Sequence, residues 1–131
     1  MKINVAVLFG GKSVEHEVSV ISALQAMQNM NKDKYQLYPV YITKKNELYY
    51  GEDLDKIDEY KDIPRLLEKS TKINIVTDGD KTYLLPQQQK LFSKQKLIAV
   101  IDVAFPIVHG TNVEDGALQG FIKTLNLPFV G

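Results

Sequence analysis

Residues 3–9 read INVAVLF, an apolar and β-branched run of the kind expected in a parallel strand buried on both faces. Gly10 and Gly11 end it. Ser13 and Glu15 then offer helix N-cap chemistry, and Val14, Val18, Ile21, Leu24 and Met27 give an apolar stripe at helical spacing to about Asn29. Lys32-Asp33-Lys34 reads as a turn, and residues 35–43, YQLYPVYIT, as a second strand, which completes a strand–helix–strand start. The pattern then thins. Leu48-Tyr49-Tyr50-Gly51 suggests a short strand and turn. Residues 53–69 are mostly charged, with Leu54, Ile57, Ile63, Leu66 and Leu67 as sparse anchors, and Pro64 forbids one long helix. Ile73–Val76 and Thr82–Leu85 flank Thr77-Asp78-Gly79-Asp80-Lys81 and read as a hairpin. Residues 97–107, LIAVIDVAFPI, form another buried strand. His109–Asn112 make a loop, and Glu114 or Asp115 opens a helix through Leu118, Phe121, Ile122 and Leu125. Leu127–Gly131 is a last strand.

This order predicts an α/β domain: a small Rossmann-like parallel sheet, helices on both faces, and a hairpin-bearing insertion at 45–95 that carries no chemistry. With 131 residues the chain makes one domain with a proper core, not two. A net charge of zero provides no general field for nucleic acid or an anionic membrane. The chain has no cysteine and two histidines, so disulfides, thiol nucleophiles and cysteine-ligated metals are excluded and a histidine-rich metal site is not expected. The apolar stretch 5–9 is too short for a signal peptide. The longest apolar run, Leu97–Val108, is interrupted by Asp102 and Pro106 and falls short of the roughly 20 residues of a membrane helix. A cytoplasmic location is the default expectation.

Gly10-Gly11-Lys12-Ser13 resembles the end of a phosphate-binding loop. That motif needs a glycine five residues before Gly11, where Ala6 stands inside the strand. Gly10 and Gly11 are adjacent, which also fails the dinucleotide fingerprint. On these residues alone the pair equally fits a plain strand-to-helix turn, Lys12 a solvated lysine, and Glu15 and Glu17 carboxylates favoured by a helix N-terminus. Yet Glu15 falls at the carboxyl end of the first strand, where open α/β sheets bind ligands. A fixed carboxylate there repels phosphate and attracts an ammonium group, which points to an amino-bearing substrate.

A second motif, residues 105–120, reads FPIVHGTNVEDGALQG. It puts His109, Gly110 and the acidic pair Glu114-Asp115 on the edge that Gly10–Glu15 occupy. Taken singly, His109 also fits a loop histidine and the acidic pair a helix cap. Together the motifs resemble the D-alanine–D-alanine ligase family. Residues 10–19, GGKSVEHEVS, are similar to its first signature, GG-x-S-x-E-x-E-V-S. Residues 109–120, HGTNVEDGALQG, are similar to its second, HG-x-x-G-E-D-G-x-x-Q-G, with Val113 in place of a glycine. Leu127–Gly131 also matches the family's stretch after that helix.

The resemblance implies that residues 1–131 are the single N-terminal, substrate-binding domain of a longer ATP-grasp ligase. Such an enzyme joins two D-alanines for peptidoglycan, with ATP forming an acyl phosphate on the first. It implies that Glu15 holds the ammonium of the first D-alanine, that His109 lines the same pocket, and that Val18 forms an apolar wall near the substrate methyl. Gly10, Gly11, Ser13, Ser19 and Gly110 support the loops. No metal ligand is expected in this chain. ATP and Mg²⁺ belong mainly to domains that follow, so the isolated domain is expected to be inactive. The implied partners are D-alanine, the other ATP-grasp domains of the polypeptide and, as a further option, a second copy in a homodimer. D-Serine or D-lactate as second substrate, and a non-catalytic Rossmann-like binding module, are the alternatives.

Overall fold

A computed structural model describes residues 2–11, 16–87 and 97–107. Seven strands form one sheet: β1 (Ile3–Gly10), β2 (Tyr35–Ile42), β3 (Leu48–Tyr50), β4 (Thr71–Asp78), β5 (Lys81–Pro86), β6 (Ala99–Ile101) and β7 (Val103–Ile107), in the spatial order β6-β5-β4-β3-β2-β1-β7. Among the described residues two α-helices accompany them, α1 (His16–Asn29) and α2 (Ile63–Glu68). The sheet is mixed, which corrects the expectation of a small parallel sheet with the hairpin set apart as an insertion. β1 pairs in parallel with β2 and β7, while β3, β4, β5 and β6 are joined by antiparallel ladders. The stretch read as an insertion supplies β3, β4 and β5, and so most of the antiparallel half of the same sheet.

The sheet is also rolled. Laid flat, seven strands would hold the two edges roughly 29 Å apart. Yet β6 and β7, which stand at opposite ends of the order, are separated in the chain by Asp102 alone. The single strand expected over 97–107 is therefore two, bent at Asp102. The bend is tied to β1: the Asp102 N–H donates to the Asn4 carbonyl at 2.9 Å, and the Asn4 N–H donates to Asp102 Oδ2 at 2.8 Å. The Asn4 side chain donates to the Val100 carbonyl, also at 2.8 Å, so β6 reaches back to β1.

Strand alternation then sorts the core into two layers. Ala6, Leu8, Val40, Ile42, Ile73, Leu84, Ala99, Ile101 and Ala104 pack inside the roll. Val5, Val7, Phe9 and Tyr41 face the other way, against Val20, Ala23, Leu24 and Met27 of α1, and against Leu54 and Leu66. Leu54 and Leu66 sit in the charged stretch, which folds as two 3₁₀ turns (Glu52–Asp55 and Ile57–Lys61) and α2. Pro64 lies in the first turn of α2, where its missing N–H is harmless, and Asp62 caps that helix by accepting from the Arg65 N–H at 3.2 Å.

Helix α1 buries Leu24 and Met27 as expected, but the rest of its buried stripe differs. Val18 and Ile21 are 51% and 49% exposed, while Ser19, Val20, Ala23, Leu24 and Met27 are buried. Small residues at 19 and 23 let the helix approach the sheet, and Ser19 is held by polar bonds that apolar periodicity does not register. The helix and strand expected beyond residue 113 lie outside the described residues.

Candidate functional site

The carboxyl ends of β1, β2 and β7 share one edge of the sheet, because the three strands are parallel neighbours. Phe9 pairs with Ile107 and Gly10 with Ile42. The first motif therefore starts at Gly10 on β1, and the second starts two residues beyond Ile107 on the adjacent strand. The strand register brings Gly10, where the first motif starts, and Ile107, two residues short of the second in sequence, to the same end of the same pair of strands.

Glycine at position 10 is dictated by two constraints. Its φ is +95°, a region unfavourable for L side chains, and a Cβ there would lie 2.4 Å from the Ile42 carbonyl oxygen. Gly11 has the same φ, and its N–H donates to the Ile42 carbonyl at 2.8 Å. The chain thus turns sharply off β1 while still bonded to the end of β2.

Ser19 ties the edge together. Its side chain is fully buried. The Gly10 N–H donates to Ser19 Oγ at 2.9 Å, and the hydroxyl donates to the Ile107 carbonyl. One side chain on α1 therefore satisfies the last amide of β1 and the last described carbonyl of β7. Ser19→Ala is expected to lower the stability of the chain by about 2 kcal/mol, since it leaves a buried donor and a part-buried acceptor unpaired. Urea denaturation should show a lower midpoint at unchanged slope. An unchanged midpoint would refute the structural weight given to this hydroxyl.

Beneath the turn lies an aromatic cluster. Phe9 and Tyr41 have ring centroids 5.9 Å apart, Tyr41 and Tyr60 5.6 Å, and Phe9 and Tyr60 6.4 Å. The Tyr60 hydroxyl donates to the Leu54 carbonyl at 2.7 Å. Burial, and secondarily the charge of Tyr41, push the Tyr60 hydroxyl pKa well up. Burial, and secondarily the negative charge of Glu17, push that of Tyr41 up to about 12. Both stay neutral phenols at physiological pH. The charged 52–69 stretch thereby buttresses the Gly10 turn through Tyr60.

Among the predicted residues, Gly10, Gly11 and Ser19 are brought together, and Val18 is exposed on the first turn of α1, one residue from the Ser19 anchor. Ser13, Glu15, His109 and Gly110 lie outside the described residues. Sequence reasoning did not single out Tyr41, Tyr60 or Thr43. Tyr41 looks like any strand aromatic, and Tyr60 sits in a stretch read as bland. Among the described residues no group of three or more His, Cys, Asp or Glu side chains is arranged to hold a metal ion. No helix among them is long and apolar enough to cross a membrane.

Residues 4–131 match the family model described as D-ala D-ala ligase N-terminus. A D-alanine–D-alanine ligase of Thermoanaerobacter sp. (strain X514) is 43% identical over 138 aligned positions, which cover 99% of this chain and 34% of that protein. The solved structure of the D-alanine-D-alanine ligase from Coxiella burnetii is 32% identical with a TM-score of 0.72, over 98% of this chain and 35% of that one. The VanG D-Ala:D-Ser ligase from Enterococcus faecalis is 28% identical with a TM-score of 0.72, over 99% of this chain and 36% of that one. The chain thus spans about a third of the length of the relatives it matches.

Proposed function

The chain belongs to the D-alanine–D-alanine ligase N-terminus family, and from that premise we propose that it is the domain that holds the first D-alanine in an ATP-dependent ligase making D-alanyl-D-alanine for peptidoglycan. The observation that carries the reading is the register of β1 against β7. It ends β1 and β7 side by side, at the edge where α/β sheets take their ligands, and in sequence the two family signatures begin at Gly10 and two residues after Ile107.

The division of labour is as follows. Glu15 accepts charge-assisted hydrogen bonds from the ammonium of the first D-alanine, which leaves the substrate carboxylate free to react. His109 lines the same pocket and orients the substrate. Val18, already exposed at the start of α1, supplies an apolar wall beside the methyl group. Gly10, Gly11 and Ser19 give Glu15 a fixed base, and Ser13 and Gly110 support the two loops. Bound ATP supplies the phosphoryl group that activates the first carboxylate. The described residues hold no acidic cluster suited to Mg²⁺. As the family resemblance implies, ATP and its magnesium are assigned mainly to other domains of the polypeptide, and no step of theirs is built on this chain.

The reading includes a single Rossmann-like domain over 1–131 with helices on both faces, residues 45–95 forming an elaboration within it. It also includes a cytoplasmic enzyme whose partners are D-alanine, the remaining ATP-grasp domains and a second copy in a homodimer. The likeness to a D-Ala:D-Ser ligase keeps D-serine as a second reading for the second substrate.

The test is a ligation assay on the polypeptide that carries this chain joined to its ATP-grasp domains. D-Alanine, ATP and Mg²⁺ should yield D-alanyl-D-alanine, ADP and phosphate, while the isolated 131 residues yield none. Product formed only when D-serine is added would transfer the assignment to the second reading. No product with either amino acid would reject the enzyme reading in favour of a binding module.

A further inference from the structure

The turn between β4 and β5 reads Asp78-Gly79-Asp80-Lys81. Asp78 pairs with Lys81 in the last rung of the ladder, so Gly79 and Asp80 alone make the connection. Gly79 has a φ of +67° and Asp80 is not in the left-handed region, the pattern of a type II′ hairpin with glycine at its first central position. All four residues are exposed. We propose that Asp78 is a site of spontaneous covalent modification, at which the Gly79 nitrogen closes on the Asp78 carboxyl and the aspartate is converted to isoaspartate.

The step is an intramolecular acyl substitution. The Gly79 nitrogen attacks Cγ of the Asp78 side chain in its protonated form. A bond forms between that nitrogen and Cγ, the bond from Cγ to the hydroxyl oxygen breaks, and the amide proton and the hydroxyl leave together as water. The cyclic imide then takes up a solvent water. Opening at Cγ returns aspartate. Opening at the main-chain carbonyl carbon gives isoaspartate, whose backbone runs through the former side chain. Solvent water is the only co-reactant.

The turn supplies what this ring closure requires. The nucleophile is uncommitted: among the described residues the Gly79 N–H has no hydrogen-bond partner. It is also unshielded. Glycine has no side chain to screen its nitrogen, and even the position its Cβ would take has no atom within 4 Å. Closure needs the Asp78 backbone to rotate out of its extended conformation, which breaks the last rung. That rung opens most easily, because it ends the ladder, lies in water and contributes no core side chain. Every other aspartate of the described residues is followed by a residue with a side chain. Asp115-Gly116, the second such pair in the sequence, lies outside the described residues.

Isoaspartate puts an extra carbon in the main chain at the end of β4, so the turn no longer joins Thr77 to Thr82 in register. Thr82 is buried one rung in, and Leu84 is buried two rungs beyond it. Modification therefore loosens the hairpin from its tip, next to the core of the roll.

The inference does not depend on the ligase reading, so the two stand or fall separately. The complete polypeptide that carries this chain is held at neutral pH and physiological temperature and sampled over weeks. Each sample is digested, and every aspartyl peptide is assayed for isoaspartate by mass spectrometry and by methyl transfer from S-adenosylmethionine to the isoaspartyl carboxylate. Isoaspartate should accumulate at position 78 and exceed that at Asp33, Asp58 and Asp80, which are also exposed. Asp78→Glu keeps the charge but must close a larger ring, and Gly79→Ala shields the nitrogen, so each should lose the signal at this position. Asp78→Asn, which releases ammonia in place of water, should reach isoaspartate faster. A level at position 78 no higher than at the three other aspartates would overturn the inference. So would isoaspartate that forms there only after unfolding in urea, since the native hairpin would then be what prevents the reaction.

Discussion

Glu15→Gln in the complete ligase is expected to lower kcat/KM for the first D-alanine by one to two orders of magnitude. The substitution keeps the size and the hydrogen-bonding oxygen but removes the charge. A hydrogen bond between two ionised groups in a desolvated site contributes about 1.5–3 kcal/mol, and each 1.36 kcal/mol is a factor of ten. Because the substitution is isosteric, the melting temperature should stay near that of the wild type. Steady-state kinetics with varied D-alanine and saturating ATP measures it. Unchanged kcat/KM would remove the glutamate from the substrate site. A lowered melting temperature would show it to be part of the scaffold instead.

Gly10→Ala is expected to have the largest effect on folding, a loss of about 3 kcal/mol or more. A strained backbone angle alone costs of order 1–3 kcal/mol, and here φ is +95°. The added methyl would also fall 2.4 Å from the Ile42 carbonyl and 3.0 Å from the Tyr41 ring, with strand backbone on one side and a buried ring on the other. Gly79→Ala provides the control. That residue has a φ of +67° at the β4–β5 turn but no atom within 4 Å of its would-be Cβ. It should therefore cost only about 1 kcal/mol, the backbone part of the effect. Urea or thermal denaturation of both variants measures the difference. Equal losses at the two positions would mean that the close approach of β1 to β2 is not what requires glycine at position 10.

The parts of the fold visible in the sequence are those with local causes. The INVAVLF run, the glycine pair, the helix ending at Asn29 and the YQLYPVYI strand follow from burial on both faces, from turn chemistry and from a helical period, and each is found near where it was expected. The rolled sheet was not visible. A strand's alternation says that it is half buried but not which neighbour it pairs with, so β3 to β5 read as an insertion although they continue the sheet from β2 round to β6. The bend at Asp102 has a cause 98 residues away in Asn4, which no window along the chain contains. Val18 and Ile21 joined the expected apolar stripe because they are apolar. Ser19 did not, because its burial depends on two hydrogen bonds to other strands.

The candidate site divides along the same line. The chemistry proposed for it is read from residue types in a fixed order, Gly-Gly then Glu15, and His109-Gly110 after a strand. Its support is not. Tyr41 and Tyr60 come together across 19 positions of sequence and meet Phe9 beneath the Gly10 turn.

The central claim is that this domain grips the ammonium of the first D-alanine at the carboxyl edge of β1. A crystal structure of the complete polypeptide with D-alanine bound tests it most directly. The account predicts the substrate nitrogen within hydrogen-bonding distance of the Glu15 carboxylate, with His109 in the same pocket. D-Alanine whose nitrogen is held by other residues, with Glu15 turned to solvent, would contradict it.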